Sequence, residues 1–216
     1  MSVVAGVDSS TQSCTVELRD AGSGMLLGTG RAPHPPTSPP VSEQDPEAWW
    51  DALQVAWHRA CTEAGIAPAE VKAIPVAAQG HGLVCLDAEG SLVRPAKLWN
   101  DTTSADQAAA MVGRLGRAWW AGAVGSVPTA AFTITKLAWL AQVEPASFAR
   151  VRSVLVPADW LGYRLTGERA TDRSNASSTG YFAAHEGRWL SGLLGEVVGP
   201  APWDEILPRV HEPTEP

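Results

Sequence analysis

The chain opens on a short apolar run, Val3 to Val7, that stops at Asp8. A run of this length bounded by a polar turn predicts a buried strand. After the turn Asp8-Ser9-Ser10-Thr11-Gln12-Ser13, residues Thr15 to Arg19 alternate, with Val16 and Leu18 on one face. A turn cluster from Asp20 to Gly24 and the run Met25 to Thr29 complete three strands joined by short turns, which predicts an antiparallel meander. Pro33, Pro35, Pro36, Pro39 and Pro40 follow. They exclude a helix or a central strand, and both a stiff surface connection and a Pro-rich docking motif fit them. Asp45-Pro46 then supplies an N-cap and a first helical position. Trp50, Leu53, Trp57, Ala60 and Ala64 recur at helical spacing up to Gly65, and this stripe is read as core. Val71 to Ala78 is the next strand, and a strand reached through a long helix is expected to lie parallel to an earlier one. The order β-β-β-α-β predicts a mixed sheet with helices.

The rest of the chain is more broken. Leu83 to Asp87 and Leu92-Val93 predict a hairpin around Ala88-Glu89-Gly90. Thr103 or Ser104 caps a helix through Leu115, Thr133 to Gln142 forms another, and Val154 to Val156 is a short strand. Pro157 opens a helix through Leu165 that Gly167 closes, and Gly187 to Val198 reads as a last helix. Residues 1–198 are therefore taken as one domain. Residues 199–216, with five prolines, are taken as a connection or frayed tail.

Composition narrows the function classes. Hydrophobic residues make up 45% of the 216 and charged residues 18%, so the chain is globular rather than disordered. A net charge of −7 argues against holding a nucleic-acid backbone. Cys14, Cys61 and Cys85 form no metal spacing and no disulfide framework, which fits a reducing cytoplasm. The N-terminus lacks a signal-peptide pattern, and no apolar run approaches the roughly 20 residues that span a bilayer.

Four polar groups carry candidate chemistry. The first is the turn Asp8 to Ser13, directly after the opening strand. Its N–H and hydroxyl groups suit phosphate and its carboxylate suits Mg²⁺, with an Asx-turn in a hairpin as the plain alternative. The second, Gln79-Gly80-His81-Gly82, follows the strand expected to be parallel, at the end where function collects in such sheets. The third is Trp99-Asn100-Asp101, where a ring, an amide and a carboxylate match the chemistry of gripping a polyol. The fourth is the polar run Thr171 to Ser177. For the His81 and Trp99 groups, ligand binding and a structural role are both open at this point.

In this order the motifs resemble the N-terminal half of the FGGY carbohydrate kinases, over nearly the whole chain. The Asp8 turn falls at the family's first phosphate motif, and Ser42 to Pro46 with Trp49-Trp50 falls before its first long helix. Gln79 to Gly82 falls at its sugar loop, and Leu98-Trp99-Asn100-Asp101 matches closely. Ala131 to Leu140, centred on Lys136 and Trp139, is similar to the first family signature. Val156 to Leu161 and Thr171 to Ser177 also fit. The chain departs from the pattern at Ser10, where the family normally carries Gly, and at Gly80, where its sugar loop usually carries Met.

The resemblance implies an α/β fold of the ribonuclease H-like, actin-type ATPase class, opening with three antiparallel strands and carrying helices on both faces of a mixed sheet. It implies two such domains, with ATP and sugar in the cleft between them. The implied reaction is ATP- and Mg²⁺-dependent phosphorylation of a ketopentose, D-xylulose first, with glycerol, gluconate or ribulose as alternatives; a non-catalytic sugar-binding domain is the other reading. Asp8 would hold Mg²⁺, directly or through water, while Ser10, Thr11, Gln12 and Ser13 would meet the phosphates of ATP. Gly80, His81, Trp99, Asn100 and Asp101 would meet the sugar. The family's proton acceptor, an Asp in a Gly-rich stretch, and its ATP-binding domain are expected beyond residue 216, so the chain is read as a fragment. Small-molecule partners are expected, with neither nucleic acid nor membrane, and a homodimer is left open.

Overall fold

The computed structural model describes residues 2–212. In chain order the elements begin β1 (Val3–Ser9), β2 (Ser13–Asp20), β3 (Leu26–Pro33), β4 (Glu43–Gln44), α1 (Pro46–Ala64), a 3-10 turn (Pro68–Glu70) and β5 (Val76–Ala78). They continue through β6 (Val84–Leu86), β7 (Ala96–Lys97), α2 (Ala105–Leu115), α3 (Arg117–Val124), α4 (Thr133–Val143), α5 (Pro145–Arg150) and β8 (Ser153–Leu155). The last are α6 (Pro157–Thr166), β9 (Ala170–Asp172), α7 (Arg173–Ser177), β10 (Phe182–Ala183), β11 (Arg188–Trp189), α8 (Ser191–Val197), α9 (Trp203–Ile206) and β12 (Arg209–His211). The chain divides into two compact units: residues 1–36 with 45–79, and residues 37–44 with 80–216.

The first unit is a four-stranded sheet in the order β3-β2-β1-β5. β1 and β2 pair antiparallel from Val3↔Asp20 to Ser9↔Cys14, and β5 runs parallel to β1, as expected. The parallel strand is shorter than the sequence suggested. Val71 makes one bridge to Val3, but Pro75 has no N–H to continue the ladder, and regular pairing starts only at Val76. α1 has the predicted bounds. The Asp45 side chain accepts from the Glu47 N–H, Pro46 sits in the first turn, and Gly65 closes the helix at φ 64°.

The buried stripe of α1 is displaced from the expected one. Trp49, Ala52, Leu53, Ala56 and Ala60 are buried, while Trp50 and Trp57 are only half-buried. The reason is backbone contact with β3. A Cβ at Gly30 would lie 1.9 Å from the Ala56 carbonyl oxygen, and one at Gly28 would lie 2.6 Å from that of Ala60. Glycine on the strand and alanine on the helix let the two main chains touch, so small residues mark the inner face. α1 covers one face of this sheet. On the opposite face Gly6 and Asp8 are exposed and Thr15 and Glu17 half-buried.

The second unit contains four two-stranded pairs: β4 with β7, β6 with β8, β9 with β12, and β10 with β11. Its helices bury a core that includes Trp120, Ile134, Leu137, Leu140, Leu194 and Trp203. β6 forms the expected hairpin through the bridge Leu86↔Leu92, in which the Asp87 N–H donates to the Ser91 carbonyl and the Val93 N–H to that of Cys85, and it also pairs antiparallel with β8. The helix expected over Gly187 to Val198 splits into β11 and α8. Residues 199–212 do not lead away as a connection. Trp203 is buried and donates through Nε1 to the Gly199 carbonyl, and β12 pairs in parallel with β9. The remaining residues of that expected tail, 213–216, lie outside the described residues.

Candidate functional site

In the first unit Asp8 lies near the end of β1, opposite Thr15 of β2 and Ala77 of β5. Its carboxylate is exposed and borders a cavity of about 520 Å³, together with Gly6, Thr15, Glu17 and Pro75. Gly6 supplies the room, since nothing stands within 4 Å of where its Cβ would be. The turn beyond Asp8 is tightly tied. The Ser10 N–H and hydroxyl both donate to the Ser13 carbonyl, at 3.0 and 3.1 Å. The Thr11 hydroxyl donates to Gln79 Oε1 at 3.4 Å, and the Gln79 N–H donates to the Ser9 carbonyl. Ser13 is buried, and its hydroxyl accepts from Arg31 Nε at 3.0 Å, while Gln12 is exposed. Asp8 and residues Ser10 to Ser13 are thus brought together as one hairpin end.

In the second unit His81, between two glycines, carries a strained backbone. Its φ is 61°, the one positive value at a non-glycine residue among those described. A side chain there costs of order 1–3 kcal/mol and persists only where surroundings enforce it. His81 Nδ1 donates to the Ser178 carbonyl, its own carbonyl accepts from the Thr133 hydroxyl at 3.2 Å, and its ring packs on Phe132 with centroids 4.6 Å apart. A carbonyl can only accept, so Nδ1 carries a proton. Gly82 is needed for packing: a Cβ there would meet Pro157 Cγ at 2.6 Å. Gly80 faces open space, with nothing within 4 Å of its Cβ position.

The Trp99 group joins this loop through paired bonds between Leu83 and Lys97, in which each N–H donates to the other's carbonyl. Trp99 is 47% exposed. Asn100 is half-buried, and its Oδ1 is buried without a hydrogen-bond partner among the described residues. Asp101 corrects the expectation of direct ligand contact. It is fully buried, and its carboxylate is occupied by the Ser42 N–H at 2.9 Å, Lys97 Nζ at 3.1 Å, and the Thr103 N–H and hydroxyl. Burial alone would raise its pKa, but the bonds from Thr103, Ser42 and Lys97 outweigh that and hold it below the usual carboxylate range.

Sequence reading missed the charged cluster around Asp101. Lys97 Nζ pairs with Glu43 at 2.9 Å and lies 3.9 Å from the centroid of the Trp139 ring. Arg94 bridges Glu43 and Glu144 at 2.7 and 3.0 Å. Lys136, also buried, donates to the carbonyls of Ala130 and Ala131, just before Phe132. Burial lowers its pKa to about 7, with Asp101 opposing the shift and Lys97 adding to it. The only sequence cue was a Lys four residues before an Asp in an otherwise apolar stretch. Among the described residues no group of three or more His, Cys, Asp or Glu could hold a metal ion, and no helix is long and apolar enough to cross a membrane.

A mixed sheet opening with three antiparallel strands, a polar turn after the first strand and a crossover helix define a ribonuclease H-like, actin-type domain. The family model for the FGGY family of carbohydrate kinases, N-terminal domain, matches residues 3–215, and the chain belongs to that family. It is 45% identical over 215 residues to the xylulose kinase of Streptomyces coelicolor and 46% identical to that of Streptomyces rubiginosus; each match covers 99% of this chain and 43% of the relative. Among solved structures it resembles xylulose kinase from Bifidobacterium adolescentis, with a TM-score of 0.89 and 36% identity, over 99% of this chain and 48% of that one. The chain therefore spans less than half the length of these relatives.

Proposed function

We propose that this chain forms the sugar-gripping part of an ATP-dependent kinase that phosphorylates D-xylulose at its terminal hydroxyl. The observation that carries the reading is His81. It is held in a strained left-handed conformation by contacts on its backbone and ring, with Nδ1 already taken by the Ser178 carbonyl and Nε2 left as the ring nitrogen for a ligand. A sugar hydroxyl, which both donates and accepts, is a matching partner. Trp99, 47% exposed, offers an amphipathic face. Asp101 acts one step back, by fixing the loop that displays it.

In the first unit the turn Ser10 to Ser13 would meet the phosphates of ATP, and Asp8 would hold Mg²⁺. The donor set fits. Magnesium keeps water and substrate phosphates among its ligands, so a single exposed carboxylate beside an open cavity suffices. When bound, the ion would neutralise charge on the transferring phosphoryl group. The proton acceptor for the sugar hydroxyl is proposed to lie in the part of the relatives that this chain does not span.

The test is a titration of the protein with D-xylulose, followed by isothermal calorimetry or amide chemical shifts, with gluconate and glycerol as comparisons. Binding should favour D-xylulose, and His81→Ala should weaken it roughly tenfold, the loss of one buried hydrogen bond. Equal binding of all three ligands, or no change in His81→Ala, would reject the reading.

A further inference from the structure

The stiff segment Pro33-His34-Pro35-Pro36 contributes one residue to the Asp8–Ser13 turn. His34 is only 6% exposed. Its Nδ1 donates to the Ser10 carbonyl at 2.9 Å, and its backbone N–H donates to the Gln12 carbonyl at 2.8 Å. With the proton on Nδ1, Nε2 is a bare lone pair, buried and without a partner among the described residues. A second proton there would find no acceptor, and burial lowers the pKa of the ring, with the Ser10 bond opposing. The imidazole is a neutral donor of fixed tautomer. Pro35 confines the backbone of His34 to extended conformations, so the ring is delivered to one place.

Peptide geometry makes this contact directional. In a planar trans peptide the C=O and the following N–H point opposite ways. A Ser10 carbonyl turned toward His34 turns the Thr11 N–H the other way. A Gln12 carbonyl turned toward His34 does the same to the Ser13 N–H. If Ser10 lost its partner, its carbonyl could rotate outward and place an acceptor where an anion needs donors.

We propose that His34 is a positioning residue of the phosphate turn, fixing which way the 10–11 and 12–13 peptides face and hence the amide donors that the turn offers to a nucleotide phosphate. The nucleotide part of this rests on the reading of that turn given above, whereas the positioning part does not.

The experiment compares His34→Leu, which keeps bulk and removes the donor, with His34→Asn, whose amide nitrogen stands where Nδ1 stood. Amide spectra of the unliganded protein come first. His34→Leu should shift or broaden the Thr11 signal while those of Ser13, whose peptide is still held by the backbone N–H of residue 34, and of Val16 and Ala56 stay in place, and His34→Asn should resemble wild type. Titration with ADP and Mg²⁺ follows, where His34→Leu should bind roughly tenfold more weakly, as for one lost hydrogen bond, and His34→Asn should recover the loss. Unchanged turn amides in His34→Leu, or an Asn variant as perturbed as the Leu variant, overturn the proposal. Wild-type protein that shows no ADP-dependent shifts in the turn overturns the phosphate reading, while the unliganded spectra still decide the positioning role. If His34→Leu does not fold, His34→Gln takes its place. Its amide reaches toward the Nε2 position, so it should fail to restore the turn.

Discussion

Lys97 and Asp101, four residues apart, form a 3.1 Å ion pair in which the lysine side chain is 1% exposed and the aspartate 0%. Asp101→Ala would leave the ammonium to Glu43 and the Trp139 ring, and would strand the N–H groups of Ser42 and Thr103. Breaking a buried pair by removing one partner costs about 3–5 kcal/mol. Chemical denaturation of the variant should show a loss of that size. A loss within the range of about 0–1 kcal/mol typical of surface pairs would show that solvent reaches the cluster.

The two glycines beside His81 should respond differently to side chains. Gly82→Ala drives a methyl group against Pro157, which opens α6 and has little freedom to yield. Overpacking of this kind costs about 1–3 kcal/mol and should lower the melting temperature. Gly80→Met projects into open space and should change stability by no more than about 0.5 kcal/mol. On the proposed function it should tighten D-xylulose binding by adding surface to the sugar loop. A destabilised Gly80→Met protein would mean that this loop is more crowded than its geometry shows.

Asp159 should give stability a slope with pH. It caps the start of α6, accepting from the Val156 N–H, and burial raises its pKa from 3.8 to about 8, with Asp172 adding to the rise and hydrogen bonds from Thr171 and Val156 opposing it. Between these values the folded protein holds a proton that the unfolded chain has released. Stability is therefore full below about pH 4 and declines as pH rises toward 8. Asp159→Asn, neutral at every pH, should flatten this decline in thermal melts taken from pH 5 to 8.5. Parallel curves for variant and wild type would show that the carboxyl is ionised in the fold.

A coupled ADP-release assay with D-xylulose should detect no appreciable turnover by this chain alone. On the proposal that the proton acceptor lies outside this chain, its loss by itself should cost roughly 10²–10⁴-fold, and the chain spans 43% of its Streptomyces relatives. Turnover at the rate of an ordinary kinase would place the proton acceptor within these 216 residues, with Asp8 as the first candidate.

What could be read from the sequence was what local chemistry decides. Asp45-Pro46 and Gly65 bracket α1 to the residue, and the polar turn after Val7 marks the hairpin end. What depended on distant partners was not legible. β6 forms the local hairpin that periodicity near Leu83 suggested, but its second partner, β8, lies almost 70 residues along the chain and left no local signal. Glu43 meets Arg94 and Lys97 across 51 and 54 residues, and nothing near Asp101 signals that its carboxylate is already taken. Leu53 and Ala60 of the α1 stripe are buried as expected, but Trp50 and Trp57 are not, because glycines on β3 favour alanine beneath the helix at Ala56 and Ala60.

The route of the chain limits how this molecule can be dissected. It leaves the first unit after Pro36, contributes residues 37–44 to the second, returns at Asp45, and leaves again after Gln79. No single cleavage releases either unit whole. A polypeptide begun at Gly80 would lack β4, and with it Glu43, the carboxylate shared by Arg94 and Lys97. Excising the second unit therefore requires carrying the 37–44 strip along, either grafted through a linker or supplied as a separate peptide. Recovery of the folded state on adding that octapeptide in trans would measure how much the crossing segment contributes.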